Sequence, residues 1–158
     1  MKRESFKNKI YSVNSKAGLD YEILDKYEAG IKFLGSEVKS VRSGGMMIKS
    51  SYIKIMSDFS IVLLNSRISP YKMAKKDDDY NPTRSRKLLL NKREILKIYQ
   101  KVKTKGYSIV PIKVYNKNNF IKIEIALARG KKSYDKKEDL KKKDQLDKAR
   151  KAVKFQQY

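Results

Sequence analysis

Between residues 21 and 34 apolar and polar side chains alternate. Tyr21, Ile23, Tyr27, Ala29, Ile31 and Phe33 fall on one face, and Glu22, Lys26, Glu28 and Lys32 on the other. A period of two predicts a long strand with one wet face. Asp25 interrupts the apolar row, and Gly30 sits inside the strand, where glycine marks a bulge or a bend. A long, bent first strand can serve both halves of a small barrel's wall. Residues 35–44 predict a short helix, with Ser36 as its cap, Val38 and Val41 on one face and Gly44 to end it. Residues 52–56 and 59–64, rich in β-branched and aromatic side chains, predict a hairpin joined near Ser57 and Asp58. Residues 107–115 and 120–128 alternate again, with Ile121, Ile123, Ile125 and Leu127 inward and Lys122 and Glu124 outward. Residues 116–119 make the turn between them. Pro111 lacks a ladder donor and belongs at a bulge or a free edge.

Residues 81–95 join a basic loop punctuated by Pro82, an apolar run at Leu88, Leu89 and Leu90, and a helix start. Asn91 is a good N-cap, with Glu94 where a capping-box partner sits. Ile95, Ile98, Tyr99 and Val102 recur at helical spacing, and Gly106 closes the helix. Leu89 and the isoleucine face are expected in the core, with the cations presented outward. Residues 66–84 contain Pro70, Pro82 and Asp77-Asp78-Asp79 and show no period. A connection this long inside a small domain is expected to be functional or mobile.

The predicted order is strand, short helix, strand, strand, helix, strand, strand. Five main strands with a helix between the third and fourth predict a mainly β (α+β) fold, an OB-type antiparallel β-barrel with short helices. An SH3-like barrel would not insert that helix. Residues 1–18 are expected as a basic N-terminal arm, with only a weak apolar group at Ile10, Tyr11 and Val13. Residues 19–130 form the barrel, and residues 131–158 a basic C-terminal tail that is disordered or helical. The tail carries 11 Lys/Arg and 5 Asp/Glu, with Leu146, Ala149 and Val153 at helical spacing. It has helix propensity but too little apolar surface to fold alone, so it is expected to order on a partner. A merely solubilising tail is the alternative.

Charge sharpens the picture. The chain of 158 residues has 39 Lys+Arg against 17 Asp+Glu, a net charge of +22, with neither histidine nor cysteine. Such a charge repels itself and calls for a polyanion, nucleic acid before an anionic membrane surface. No apolar run approaches the roughly 20 residues of a membrane span. The N-terminus is charged and lacks the apolar stretch of a signal peptide. Missing cysteine excludes disulfides, zinc ribbons and thiol nucleophiles; missing histidine removes triads and the commonest metal ligand. These features favour a cytoplasmic, non-catalytic protein without cofactor or metal. Asp77, Asp78 and Asp79 offer a metal-binding nuclease reading, but adjacent loop carboxylates rarely converge on one ion without helpers from elsewhere. Gly130, between Arg129 and Lys131-Lys132, reads as a hinge with phosphate contacts and does not fit the P-loop spacing. Tyr27, Tyr52, Tyr107 and Tyr115 lie among cations, as in OB-type barrels that meet bases and backbone, although most are expected as core or rim packing.

Several segments together resemble one family. They are Tyr27-Glu28-Ala29-Gly30, Gly35-Ser36-Glu37-Val38-Lys39-Ser40, Ile68-Ser69-Pro70-Tyr71, the run from Pro82 to Glu94, and Ala128-Arg129-Gly130-Lys131-Lys132-Ser133-Tyr134-Asp135-Lys136-Lys137. In this order they are similar to the SsrA-binding protein family (small protein B). The resemblance implies an OB-type barrel that binds the tRNA-like domain of transfer-messenger RNA and stands in for the anticodon arm this RNA lacks. It implies delivery with elongation factor Tu to stalled ribosomes, where the tail probes the small-subunit decoding centre and the empty messenger channel. A monomer without membrane attachment is expected. By match of motif, Glu28, Leu89, Asn91 and Lys122 correspond to residues implicated in RNA binding. Gly130, Lys131, Lys132, Tyr134, Asp135, Lys136 and Lys137 correspond to the tail segment at the decoding centre. Gly18-Leu19 stands where the family commonly has a basic residue and a histidine, so no RNA contact is carried over to the arm. Gly45-Met46-Met47 replaces a usual Lys-Ala-Asn-like run, and Lys137 replaces a common arginine, keeping charge but losing the bidentate fork. A generic single-stranded nucleic-acid-binding OB module is the runner-up.

Overall fold

A computed structural model of the chain describes residues 9–155. The elements are β1 (Ile10–Val13), α1 (Ala17–Asp20), β2 (Tyr21–Ile31), α2 (Gly35–Arg42), β3 (Met46–Met47), β4 (Tyr52–Ile55) and β5 (Ile61–Leu64). There follow β6 (Arg67–Ile68), β7 (Arg86–Leu89), α3 (Lys92–Lys105), β8 (Ser108–Lys117), β9 (Phe120–Gly130) and α4 (Ser133–Phe155). Seven strands make one antiparallel sheet in the order β1-β8-β4-β5-β7-β2-β9, and an additional β8–β9 pairing brings it nearly into a ring. The seam lies between β4 and β8, which share only the pair Ile53↔Ile109. β3 and β6 form a separate two-stranded sheet.

β2 belongs to both halves of the wall. It runs along β9 from Tyr21↔Gly130 to Gly30↔Lys122, and its end pairs with β7 at Gly30↔Leu89 and Ile31↔Leu88. The register shift falls between Ile23 and Asp25, so the bulge lies beside the acid that broke the apolar row and not at Gly30. Gly30 serves a close approach: a Cβ there would come within 3.3 Å of Leu89 Cβ. Pro111 does lie at a bulge, the register shifting between Pro111 and Lys113.

The ring closes on Ile31, Ile53, Ile61, Leu63, Leu88, Val114, Ile123, Ile125 and Leu127, with Val41 of α2 and Ile98 of α3 against them. Each such side chain contributes about 1.5–3 kcal/mol on leaving water. Ala17 of α1 covers a smaller cluster at Val110, Ala126 and Ala128. α3 starts as its sequence reads, the Glu94 carboxylate accepting the Asn91 N–H at 3.3 Å. It ends at Gly106, whose φ is +65°. α2 differs: its N-cap is Leu34 rather than Ser36, and Leu34 N–H donates to Glu37 Oε2 at 3.0 Å.

Three expectations change. The segment read as an arm contains β1, with Tyr11 and Ala17 buried; residues 1–8 lie outside the described residues. The leucine in the core is Leu88, 2% exposed, whereas Leu89 is 54% exposed. The cations of the preceding loop are not all presented outward, since the Arg86 side chain is fully buried and Arg84 mostly so. The tail is a helix of 23 residues whose Leu140, Leu146 and Val153 are exposed. Residues 156–158 lie outside the described residues.

Candidate nucleic-acid interface

Directly paired residues of an antiparallel sheet share a face. One row on the outer face therefore crosses four strands: Leu89 of β7, Gly30 of β2, Lys122 of β9 and Tyr115 of β8. The next row holds Glu28, Glu124 and Lys113. Alternation is what places these side chains outward, because their neighbours Ala29, Ile31, Leu88, Val114, Ile121 and Ile123 fill the core.

Within this face Glu28 accepts a hydrogen bond from the Tyr115 hydroxyl and two from Lys117 Nζ, at 3.1 and 3.2 Å. The Tyr115 bond chiefly holds the Glu28 carboxyl below the usual carboxylate range, with help from Lys117 and Lys122 against a desolvation cost. Burial and the Glu28 carboxylate push the Tyr115 phenol up. Glu124 is matched by Lys26 at 3.4 Å and Lys113 at 3.3 Å. Lys122 has no hydrogen bond or ion pair within bonding distance among the described residues; it lies in register between Gly30 and Tyr115, and its charge acts on the Glu28 carboxylate. Asn91 lies two residues beyond Leu89, exposed at the mouth of α3. Glu28, Leu89 and Lys122 thus share one surface, with Asn91 at its edge. Tyr115 and Lys117 were missed as partners of Glu28, although the alternation that buries Val114 already placed Tyr115 outside.

A second constellation lies behind this surface. Glu37 is fully buried and accepts from Arg84 Nε at 2.8 Å and Arg84 Nη2 at 2.5 Å, from Arg86 Nε at 3.1 Å and Arg86 Nη2 at 2.7 Å, and from Tyr80 OH at 3.3 Å. Arg86 also donates to the Ser66, Arg84 and Pro82 carbonyls at 3.0, 3.0 and 3.1 Å. Burial alone would raise the Glu37 carboxyl; the two guanidinium groups outweigh it and hold the group at about 2. The cluster ties the long connection, β7 and α2 together. By fixing β7 it fixes which leucine faces out.

The tail residues sit elsewhere. Gly130 pairs with Tyr21 at the far end of β9, eight residues from Lys122, about 27 Å at strand rise. Lys131 N–H donates to the Asp20 carbonyl at 3.0 Å, and Lys131 Nζ to the Gly18 carbonyl at 2.9 Å and to the Asp139 carboxylate. Lys136 Nζ lies 3.8 Å from Asp20. Lys132, Tyr134, Asp135 and Lys137 point to solvent, Tyr134 at 71% exposure. Asp77, Asp78 and Asp79 are exposed; Asp77 accepts the Asp79 N–H at 3.1 Å, and no group among the described residues is placed to hold a metal. Of the remaining tyrosines, Tyr27 and Tyr107 pack on the core. Tyr52 and Tyr107 line a groove of about 570 Å³ at the β4–β8 seam. No helix among the described residues is long and apolar enough to cross a membrane.

Comparison with known proteins adds the family. A family model described as SmpB protein matches residues 11–155. The SsrA-binding protein of Sulfurihydrogenibium sp. (strain YO3AOP1) is 54% identical over 136 residues, covering 86% of this chain and 88% of its own. The SsrA-binding protein of Microcystis aeruginosa is 44% identical over 151 residues, covering 95% and 97%. Among solved structures, a chain from work on tmRNA–SmpB in the bacterial ribosome superposes with a TM-score of 0.63 at 41% identity, covering 81% of this chain and 92% of that one. The chain belongs to the SmpB family of SsrA-binding proteins, a family of non-enzymatic RNA-binding proteins.

Proposed function

We propose that this protein binds transfer-messenger RNA, the SsrA RNA, and serves trans-translation in the cytoplasm. The nearly closed ring acts as an OB-type barrel, and its outer face across β7, β2, β9 and β8 receives the tRNA-like domain. The observation that carries this reading is Lys122: a lysine with no hydrogen bond or salt bridge among the described residues, beside an ionised Glu28 and in one row with the exposed Leu89. A cation takes a phosphate. An ionised carboxylate is acceptor-only, so Glu28 suits a ribose 2′-hydroxyl or a base amino group and repels a misplaced phosphate. Leu89 supplies an apolar surface for a sugar or base face. The monomer, with elongation factor Tu, brings the RNA to a stalled ribosome, and residues 130–137 meet the decoding centre while the rest of α4 enters the messenger channel.

The experiment compares gel-shift affinity for the tRNA-like domain and for an unstructured oligonucleotide at several salt concentrations. The folded RNA should bind more tightly, and affinity should fall by orders of magnitude over a few-fold rise in salt, as counterion release requires. Lys122→Ala should weaken binding without moving the melting curve. Equal affinity for both RNAs would favour the single-stranded-binding alternative, and a flat salt titration would contradict either.

A further inference from the structure

Four residues other than glycine have positive φ among those described: Phe59, Asn65, Asn118 and Asn119. Asparagine tolerates this region; a bulky aromatic there is strained. The β4–β5 turn gives no reason for the choice. It is closed by backbone, Phe59 N–H to the Met56 carbonyl at 3.0 Å, and by Asp58, which accepts from Ser60 N–H and Oγ. Glycine or asparagine would make the same turn without strain. The strained residue holds a ring that is 46% exposed. Its one ring neighbour is Tyr99 of α3, edge-on at 5.1 Å.

That ring forms one wall of a cleft of about 480 Å³ between the hairpin tip and the start of α3. Leu89 and Leu96 form the other walls, 54% and 47% exposed, and Lys87 and Lys92 stand at its rim. Neither lysine has a salt bridge among the described residues. The cleft is continuous with the proposed RNA surface through Leu89, and the acid in its lining, Asp58, is held chiefly by Ser60 with a weaker attraction to Lys87. Apolar walls with an aromatic face fit a flat, uncharged ring. Two lysines among the lining residues, neither in a salt bridge within the described residues, fit the phosphates that flank such a ring.

We infer that the Phe59–Leu89–Leu96 cleft takes one unpaired base of the bound RNA, stacked on Phe59, with Lys87 and Lys92 on the flanking phosphates. This rests on the proposed function and names a further subsite of it. RNA is thereby held at two places on either side of Leu89: backbone and ribose on the Glu28–Lys122 face, and a splayed base in the cleft.

The test uses the full chain and the tRNA-like domain of transfer-messenger RNA. Phe59→Gly removes both the ring and the strain. It should keep or raise the melting temperature while weakening binding about 5- to 150-fold, the equivalent of one base–aromatic stack of ~1–3 kcal/mol. The chain has no tryptophan, so Phe59→Trp introduces a single reporter, and RNA should quench its emission, whereas RNA should leave Met73→Trp, exposed on a distant loop, bright. Unchanged affinity of Phe59→Gly, or equal quenching at the two positions, overturns the inference. If Phe59→Gly loses stability and affinity together and Phe59→Trp is not quenched, the ring is a structural staple and the inference is again overturned. Failure of the unsubstituted protein to prefer this RNA defeats the proposed function; full binding with Lys122→Ala impaired and Phe59 variants intact defeats only the cleft.

Discussion

Glu28 and Glu37 are built from the same parts. Each carboxylate takes a tyrosine hydroxyl and basic side chains: Tyr115 and Lys117 at Glu28, Tyr80, Arg84 and Arg86 at Glu37. Both are held below the ordinary carboxylate range. What differs is water. The Glu28 side chain is 37% exposed and the Glu37 side chain 0%. Around Glu37, planar guanidinium forks saturate the oxygens and leave no room for a ligand, so the ionic cluster is internal scaffolding. Around Glu28 the donors are Tyr115 and one flexible surface lysine, Lys117, and Lys122 beside them makes no hydrogen bond among the described residues. Charged residue types alone therefore do not mark an interface; access and an unpaired member do.

Breaking the buried cluster should have the largest effect. Arg86→Ala leaves Glu37 buried without its fully buried partner, and losses of this kind cost about 3–5 kcal/mol, read as a large fall in the urea midpoint. pH should expose the same group. A depressed carboxyl contributes stability that is complete above its ordinary value of 4.5 and is lost as pH falls towards its folded value of about 2. The contribution is about 3 kcal/mol. Glu37→Gln should therefore flatten the dependence of the urea midpoint on pH between those two values; an unchanged acid limb would refute the assignment.

The two adjacent leucines extend the contrast along one strand. Leu88→Ala should cost about 2–5 kcal/mol, because Leu88 lies in the core, and Leu89→Ala about 0.5 kcal/mol or less. RNA affinity should reverse the ranking among molecules that remain folded: Leu89→Ala binds worse, and Leu88→Ala at low temperature binds nearly as well as the parent. At Glu28 the stability effect is smaller still than at Leu88. Its ion pair is open to solvent and contributes ~1 kcal/mol at most, so Glu28→Gln should melt with the parent while losing affinity for the tRNA-like RNA. A destabilised Glu28→Gln with normal binding would make Glu28 a structural residue like Glu37.

Much of this was legible where the period was long enough to count. β2, α3 and the β8–β9 pair follow from alternation or helical spacing, the β4–β5 hairpin follows from its β-branched and aromatic runs, and alternation put Glu28 and Lys122 on the wet face before any contact was known. β3 and β6 were not legible, since two residues carry no period, and β1 offers only a weak apolar group at Ile10, Tyr11 and Val13 beside a polar, basic stretch. Three leucines in a row have no phase. It is set by the burial of Arg86, which reads in sequence as a solvated cation because its partner Glu37 lies 49 residues away. Leu89 and Asn91 were reached as RNA-binding residues only through their motif; the core role expected of Leu89 belongs to its neighbour Leu88, whereas Asn91 is the N-cap its spacing to Glu94 predicts. The strain at Phe59 belongs to a backbone angle, which a sequence does not record.

The smallest effect on stability belongs to the tail. None of the described α4 side chains enters either apolar cluster; polar contacts join α4 to α1, Lys136 to Asp20 directly and Asp139 through Lys131, which bonds Gly18 and Asp20. A chain ending at Gly130 should therefore melt nearly with the full protein, within ~0.5 kcal/mol as for changes away from packed features. It keeps Glu28, Leu89, Asn91 and Lys122 on an intact sheet, so it should still bind the tRNA-like RNA, somewhat less tightly because the tail's excess of Lys/Arg is gone. A solvated cationic helix with apolar side chains exposed is poised for a polyanionic channel, where neutralised lysines remove the self-repulsion that opposes helix formation in water. Tyr134 then has an exposed ring to stack on a ribosomal base, a contact of ~1–3 kcal/mol. Peptide tagging on ribosomes stalled on messages without stop codons should accordingly disappear in the truncated protein and fall in Tyr134→Ala and in a Lys136/Lys137 double alanine, with gel-shift affinity for the free RNA little changed. Full tagging by the chain ending at Gly130 would transfer the ribosomal role to the sheet and leave α4 as a solubilising helix.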